Sequence, residues 1–372
     1  MIRVRTGIFV LLTVLSVCNS AAAADDVLWE RAYGAGGRNY NASAITGGPD
    51  GSLFVAGTSA APGFGGEAPE FWLWKIDKDG ELLANSPIAR GEAQDRINPS
   101  ADLVRAIAAH AGGGALIVEF QLGDPYFVRF DSAAKIASVK RLEIPERTYI
   151  SIARLLPSVR GQYLALGGAD GRAFALRLDA DGALLSTFTS PTSDFFWDGA
   201  VQPNGGFVAV GSLEAKPFEI TLSYFDGERP APRVVTLPGS KPSLASGDEG
   251  NVVVVYDRSR DDVPDIRIAS IAPNGTVRSD TPVPGVDAVV RTPYQVAHVR
   301  GDRYLVAGRT QDGIVALRYE RGRIASRLET KRDHVPRHWF LQRVTGEPPA
   351  ALTIVHTGGM ELTTRVGIIR FR

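Results

Sequence analysis

The sequence predicts an all-β fold, a seven-bladed β-propeller of four-stranded antiparallel blades, on three observations. A worn basic-apolar-acidic signature recurs seven times at spacings of 46 to 54 residues, which is propeller spacing. A short apolar run rich in β-branched and aromatic residues precedes each signature. Turn residues return so often that most of the chain leaves no room for an amphipathic helix.

The first residues read as a processing signal. Arg3 and Arg5 make a positive start, Thr6 to Val17 is largely apolar, and Ala22-Ala23-Ala24 offers small residues for cleavage before Asp25. The apolar run is shorter than the roughly 20 residues a membrane helix needs. Residues 1–24 are therefore expected to be a signal peptide and 25–372 a single domain, exported to the periplasm or secreted, with no integral membrane segment. The only cysteine, Cys18, lies inside this signal. A lipoprotein reading of Leu15-Ser16-Val17-Cys18 is weaker than simple cleavage, because Val17 is bulky where that processing favours a small residue.

After the signal, Val27 to Tyr33 alternates like a strand and stops at Gly34 without a hairpin partner. Blade one, about 41–84, sets the pattern: a first strand near Ile45, a turn at Asp50-Gly51, a second strand at Leu53 to Ala56, a Gly-rich loop, and a third strand ending Lys75-Ile76-Asp77 before the turn at Asp79-Gly80. The signature returns at Arg129-Phe130-Asp131, Arg177-Leu178-Asp179, Tyr224-Phe225-Asp226, Ser270-Ile271-Ala272, Arg318-Tyr319-Glu320 and Arg370-Phe371-Arg372. Further blades then fall at about 102–144, 149–190, 196–238, 242–284, 294–329 and 338–372. The non-alternating second strands predict burial on both faces, between neighbouring blades. Ala101 to Ala111 matches a helical period, yet a first strand for blade two fits the repeat better. The long connection at 85–100 and the divergent last repeat leave counts of six or eight blades open. The last blade lacks a fourth strand, so Val27 to Tyr33 is expected to close the ring on Val366 to Phe371 and remove exposed sheet edges.

Trp29-x-x-x-Tyr33-Gly34, Asp50-Gly51, Val55-Ala56-Gly57-Thr58-Ser59, Gly65-Gly66 and Trp72-Leu73-x-Lys75-Ile76-Asp77-x-Asp79-Gly80 resemble the repeat of bacterial secreted β-propeller proteins, WD40-like or YVTN-like in the broad sense. Blade one carries the resemblance best, and later blades keep the turn and the third-strand signature. It implies a fold and an extracytoplasmic setting and brings no catalytic residues.

Composition narrows function by exclusion. The chain has 41 Lys plus Arg and 41 Asp plus Glu. Removing Arg3 and Arg5 leaves 39 against 41, a balance of −2, without the basic footprint of a nucleic-acid binder. The acidic pairs Asp77/Asp79 and Asp179/Asp181 lack the further oxygen ligands of a calcium loop and read as turns. His334 and His338 flank Pro336 and lack a third ligand for zinc. Asp257, Asp261, Asp262 and Asp265, interspersed with arginines, read as a solvated loop. No Gly-x-Ser-x-Gly or His-Glu-x-x-His motif is present, and Gly34-Ala35-Gly36-Gly37 reads as a turn. No metal or cofactor is expected.

What remains is the loop-rich end of the ring. The predicted ligand-binding residues there are Phe64, Arg147, Tyr149, Trp197, Asp198, Tyr294, His338 and Trp339, because aromatic and arginine side chains dominate binding hot spots. For Trp197 and Trp339, packing between blades is an equal alternative. The expected function is that of a monomeric binding or interaction module for an unknown protein or carbohydrate. Two alternatives stand beside it: an extracytoplasmic glycan-active enzyme, hydrolase or lyase, with carboxylates drawn from Asp198, Glu67, Glu70, Glu92 and Asp95, and a scaffold subunit of an envelope complex.

Overall fold

The computed structural model describes residues 27–34, 38–61, 70–88, 103–110, 112–120, 124–144, 150–226, 233–260, 263–285, 294–309, 313–331, 340–346, 348–357 and 363–372. Residues 1–26, which include the expected signal peptide, lie outside them. Strand β1 (Val27–Tyr33) is followed by blade one, β2 (Asn39–Gly47), β3 (Leu53–Ala60), β4 (Glu70–Ile76) and β5 (Leu82–Ile88). Blade two holds β6 (Leu103–His110), β7 (Gly113–Phe120), β8 (Asp124–Asp131) and β9 (Ile136–Arg141). Blade three holds β10 (Ile150–Pro157), β11 (Tyr163–Ala169), β12 (Arg172–Leu178) and β13 (Leu184–Thr189). Blade four holds β14 (Phe195–Val201), β15 (Phe207–Ser212), β16 (Glu219–Phe225) and β17 (Arg233–Pro238). Blade five holds β18 (Ser240–Ser246), β19 (Val252–Asp257), β20 (Ile266–Ile271) and β21 (Val277–Pro282). Blade six holds β22 (Gln295–Arg300), β23 (Arg303–Arg309), β24 (Gly313–Glu320) and β25 (Arg323–Lys331), and blade seven β26 (Phe340–Gly346), β27 (Pro349–Thr357) and β28 (Thr363–Phe371).

Each blade is a four-stranded antiparallel sheet, and the seventh is completed by β1 in the order β1-β28-β27-β26. The register runs from Val27 opposite Phe371 to Tyr33 opposite Val366, the closure expected from the unpartnered first strand. β6 is a strand despite its helical period: Val104 pairs with Val118 and Ala108 with Ala115, so sheet pairing overrides a weak local preference.

Burial follows position in the blade. The second strands β11 and β19 are buried at every residue, while the fourth strands β13 and β21 alternate and give one face to water. The core is accordingly divided among the blade interfaces. Phe54, Leu73, Leu116 and Phe130 pack between blades one and two, and Trp72, Trp74, Leu352 and Ile368 between blades one and seven. Among the described residues each blade shares its core with its neighbours, so much of the stability resides in the interfaces between blades.

The signature acids make the turns. The Asp77 carboxylate accepts from the amides of Asp79 and Glu81 at 2.9 and 2.7 Å, and Asp131 and Asp179 repeat the geometry. Blade five keeps the same turn with Ala272, because Gly275 N still reaches Ala272 O and Asn274 Oδ1 accepts from Thr276 N. All first-strand registers slip once. In β14 the irregularity falls between Phe196 and Asp198, at Trp197.

Candidate functional site

Strand direction defines the two ends of the ring. The connections from second to third strand and from blade to blade emerge at one end, the loop-bearing end. The tight turns, such as 48–52 and 77–81, lie at the other.

At the loop-bearing end, the bulge in β14 pushes Trp197 outward, where it is 48% exposed. Its indole Nε1 donates to Ser212 Oγ at 3.1 Å and its ring lies 4.6 Å from that of Phe195, so it is held in one orientation. Phe218, in the connection between the second and third strands of the same blade, is 62% exposed. The sequence offered Phe218 no special signal, because an isolated Phe beside a strand start ordinarily packs inward.

Asp198, the next residue in β14, points the opposite way and is 3% exposed. Its carboxylate accepts from Ser243 Oγ at 2.9 Å and from the amides of Leu244 and Gly199 at 3.0 and 2.9 Å, and Arg154 Nε lies 3.1 Å away. Ser243 Oγ accepts in turn from Val296 N at 3.2 Å, so one chain of contacts joins the innermost strands of blades three to six. Glu119 has a similar role in blade two, taking Arg105 Nε of its own blade at 2.7 Å and Ile152 N of blade three at 2.9 Å. Both carboxylates tie blades together and have their acceptor capacity used.

Tyr294 is 3% exposed and lies flat on the backbone of Gly308, where a Cβ would meet its ring at 2.4 Å. Burial pushes its phenol up to about 12, so it stays neutral. The fold thus presents Trp197, sets Asp198 directly beneath it between blades, and keeps Tyr294 in the core of blades five and six. Phe64, Arg147, Tyr149, His338 and Trp339 lie outside the described residues.

The turn-bearing end holds a cavity of about 860 Å³ that the sequence did not indicate. It runs from Leu305, Arg318 and Leu328 of blade six past Phe371 of blade seven to Gly48 and His110. Arg300 and Arg303 stand at it, on either side of the Gly301-Asp302 turn. In the sequence that flanking pair reads as an ordinary charged turn.

No family model matches the chain. No curated protein matches it. Solved structures match it over most of its length. The Neurospora crassa Pan2 WD40 domain is 10% identical, with 88% of this chain and 89% of that chain covered and a TM-score of 0.56. YCF48 bound to D1 peptide is 10% identical, with 92% and 96% covered and a TM-score of 0.54. The β-propeller domain of the Trilobed protease from Pyrococcus furiosus, described as having an open velcro topology, is 8% identical, with 88% and 93% covered and a TM-score of 0.55. At these identities the likeness shows the propeller fold alone, a fold commonly used as a binding or interaction module. Among the described residues no helix is long and apolar enough to cross a membrane.

Proposed function

We propose that the protein is an exported, monomeric binding module whose loop-bearing end engages a protein or carbohydrate through Trp197. The observation that carries this reading is the half-exposed Trp197 ring, immobilised by Ser212 and Phe195. A rigid aromatic loses little conformational entropy on binding and offers a large contact area, which is why tryptophan recurs at the centres of interfaces. Phe218 on the same blade enlarges the apolar surface. Phe64, Arg147, Tyr149, His338 and Trp339, which lie outside the described residues, are proposed as further members of the site from the sequence alone. Export rests on the charged start, apolar run and Ala22-Ala23-Ala24 of the first 24 residues.

The glycan-hydrolase reading gains no support from the described carboxylates. Asp198 and Glu119 are spent on blade-to-blade contacts, and Glu70 pairs with Arg38 at 3.1 Å.

The test compares the wild type with Trp197→Ala and Phe218→Ala on polysaccharide arrays and immobilised envelope extract, with thermal melting as the folding control. Retention lost at least tenfold in Trp197→Ala, with melting within a few degrees, supports the site. Equal retention by both variants removes it. Cell fractionation followed by N-terminal sequencing reports on export, with a mature start at Asp25 as the expected result and an intact Met1 in the cytoplasm as the opposite one.

A further inference from the structure

At the turn-bearing end, each described glycine-bearing turn between third and fourth strands seats against side chains of the preceding blade. A Cβ on Gly80 would meet Arg31 and Trp29, one on Gly182 would meet Phe127, and one on Gly275 would meet Val235 and Arg233. The contacts are polar as well. Trp29 Nε1 donates to Lys78 O at 2.8 Å, Lys75 Nζ to Ser132 O at 2.8 Å, and Arg129 pairs with Asp181 across the boundary. In blades one and two the third-strand cation thus latches onto the next blade.

Blade seven has no such turn. Its fourth strand is β1, supplied from the opposite end of the described chain, so β28 does not turn into it. The outer strands of blade six therefore meet no third-to-fourth-strand turn from blade seven. Arg318, the latch residue of blade six, lies 3.1 Å from Glu320 of its own strand, and Arg303 shares that carboxylate at 3.3 Å. The cavity of about 860 Å³ opens beside them.

We propose that this cavity is a binding site for an organic anion with an apolar body, carrying a carboxylate or phosphate head. Its inner wall is apolar, formed by Leu305, Leu328 and Phe371. Its mouth is cationic. Arg300 is exposed and has no ionic or hydrogen-bonding side-chain partner among the described residues, and Arg303 and Arg318 share one carboxylate between them. No Asp or Glu lines the cavity among the described residues; Glu320 and Asp302 line an adjoining notch of about 250 Å³ that shares Arg300 and Arg303 with it. Guanidinium groups bind carboxylate and phosphate oxygens in a planar, paired geometry, and an apolar wall behind them selects a ligand with a hydrocarbon portion. The cavity volume falls in the ordinary range for small-molecule sites.

Isothermal titration calorimetry of the full chain tests the site with decanoate and decyl phosphate, each below its micelle concentration, against decanol and inorganic phosphate. One molecule of each anionic amphiphile is expected per chain. Decanol and inorganic phosphate are expected to bind at least tenfold more weakly, because each lacks half of the recognised chemistry. Arg300→Glu combined with Arg303→Glu is expected to weaken decanoate at least tenfold at unchanged melting temperature, with Arg300→Ala alone as the milder variant. Leu328→Trp, which fills the wall, is expected to weaken all amphiphiles together. Decanol binding as well as decanoate, undiminished binding after charge reversal, or no saturable binding of either anion would each overturn the proposal. Trp197→Ala is expected to leave this binding intact, which separates its outcome from that of the loop-bearing end.

Discussion

The phenol of Tyr33 donates to the carbonyl of Gly80 at 2.8 Å, so the strand that closes the ring also clamps the first turn of blade one. Trp29 and Arg31 reach the same turn from the same strand. Ring closure is therefore held by two kinds of bond, the backbone ladder to β28 and a side-chain clamp on the next blade. Tyr33→Phe removes only the second at this point and is expected to cost about 1 kcal/mol in urea unfolding. Deleting Val27 to Tyr33 removes both and exposes the β28 edge, giving an aggregated product by size-exclusion chromatography.

Asp198→Ala is expected to destabilise the ring by about 3 kcal/mol, the usual cost of leaving a partly buried cation and several buried donors without their carboxylate. Chemical denaturation measures it directly. The buried donors are Leu244 N, Gly199 N and Ser243 Oγ, and Arg154 is the cation. A cost below about 1 kcal/mol would mean that water replaces the carboxylate, contrary to its burial.

Two glycines separate backbone strain from steric exclusion. Gly171 has φ +71° and open space around it, so Gly171→Ala is expected to cost about 1 to 2 kcal/mol from the left-handed conformation alone. Gly346 has an ordinary φ, but a Cβ there would lie 1.4 Å from the carbonyl oxygen of His298. Gly346→Ala must push blade seven away from blade six, and is expected to prevent soluble expression or to lower melting far more than Gly171→Ala does.

Acid sensitivity has one identifiable source at the turn-bearing end. Burial alone would raise the Asp50 carboxyl, but hydrogen bonds from Lys75 and Ser52 outweigh it and hold it at about 2, below the ordinary carboxylate range. A carboxyl lowered in the folded state stabilises above its unfolded value and loses that contribution as pH falls through the folded value. Asp50→Asn is therefore expected to lower melting at pH 6 and to approach the wild type as pH falls from about 4 towards 2. Because the Asp50 side chain is 55% exposed, solvent screening keeps the effect below about 1 kcal/mol. A constant gap between the two proteins across that range would show that the ion pair with Lys75 is not the source.

The ring and its closure were legible because both depend on local chemistry repeated many times: turn residues, buried second strands, and one strand without a hairpin partner. The site was less legible, for two physical reasons. Alternation along β14 puts Trp197 on the outer face and Asp198 on the buried one. What it does not reveal is that the Asp198 carboxylate is taken up by Arg154, Ser243 and Leu244 of the two neighbouring blades. The cavity at Arg300, Arg303 and Arg318 arises from a turn that blade seven does not make, a property of topology rather than of any residue pattern. The third-strand cation was visible as a repeat, but its service as a latch to the next blade appears only when Lys75 and Ser132 are seen together.

Hydrogen exchange read by mass spectrometry tests the closed ring most directly. Amides of residues 27–33 and 363–371 should exchange together, at the slow rate of the second strands, because opening either one opens the ring. Exchange of residues 27–33 within seconds, with 363–371 protected independently, would contradict closure by β1 and remove the origin assigned to the cavity.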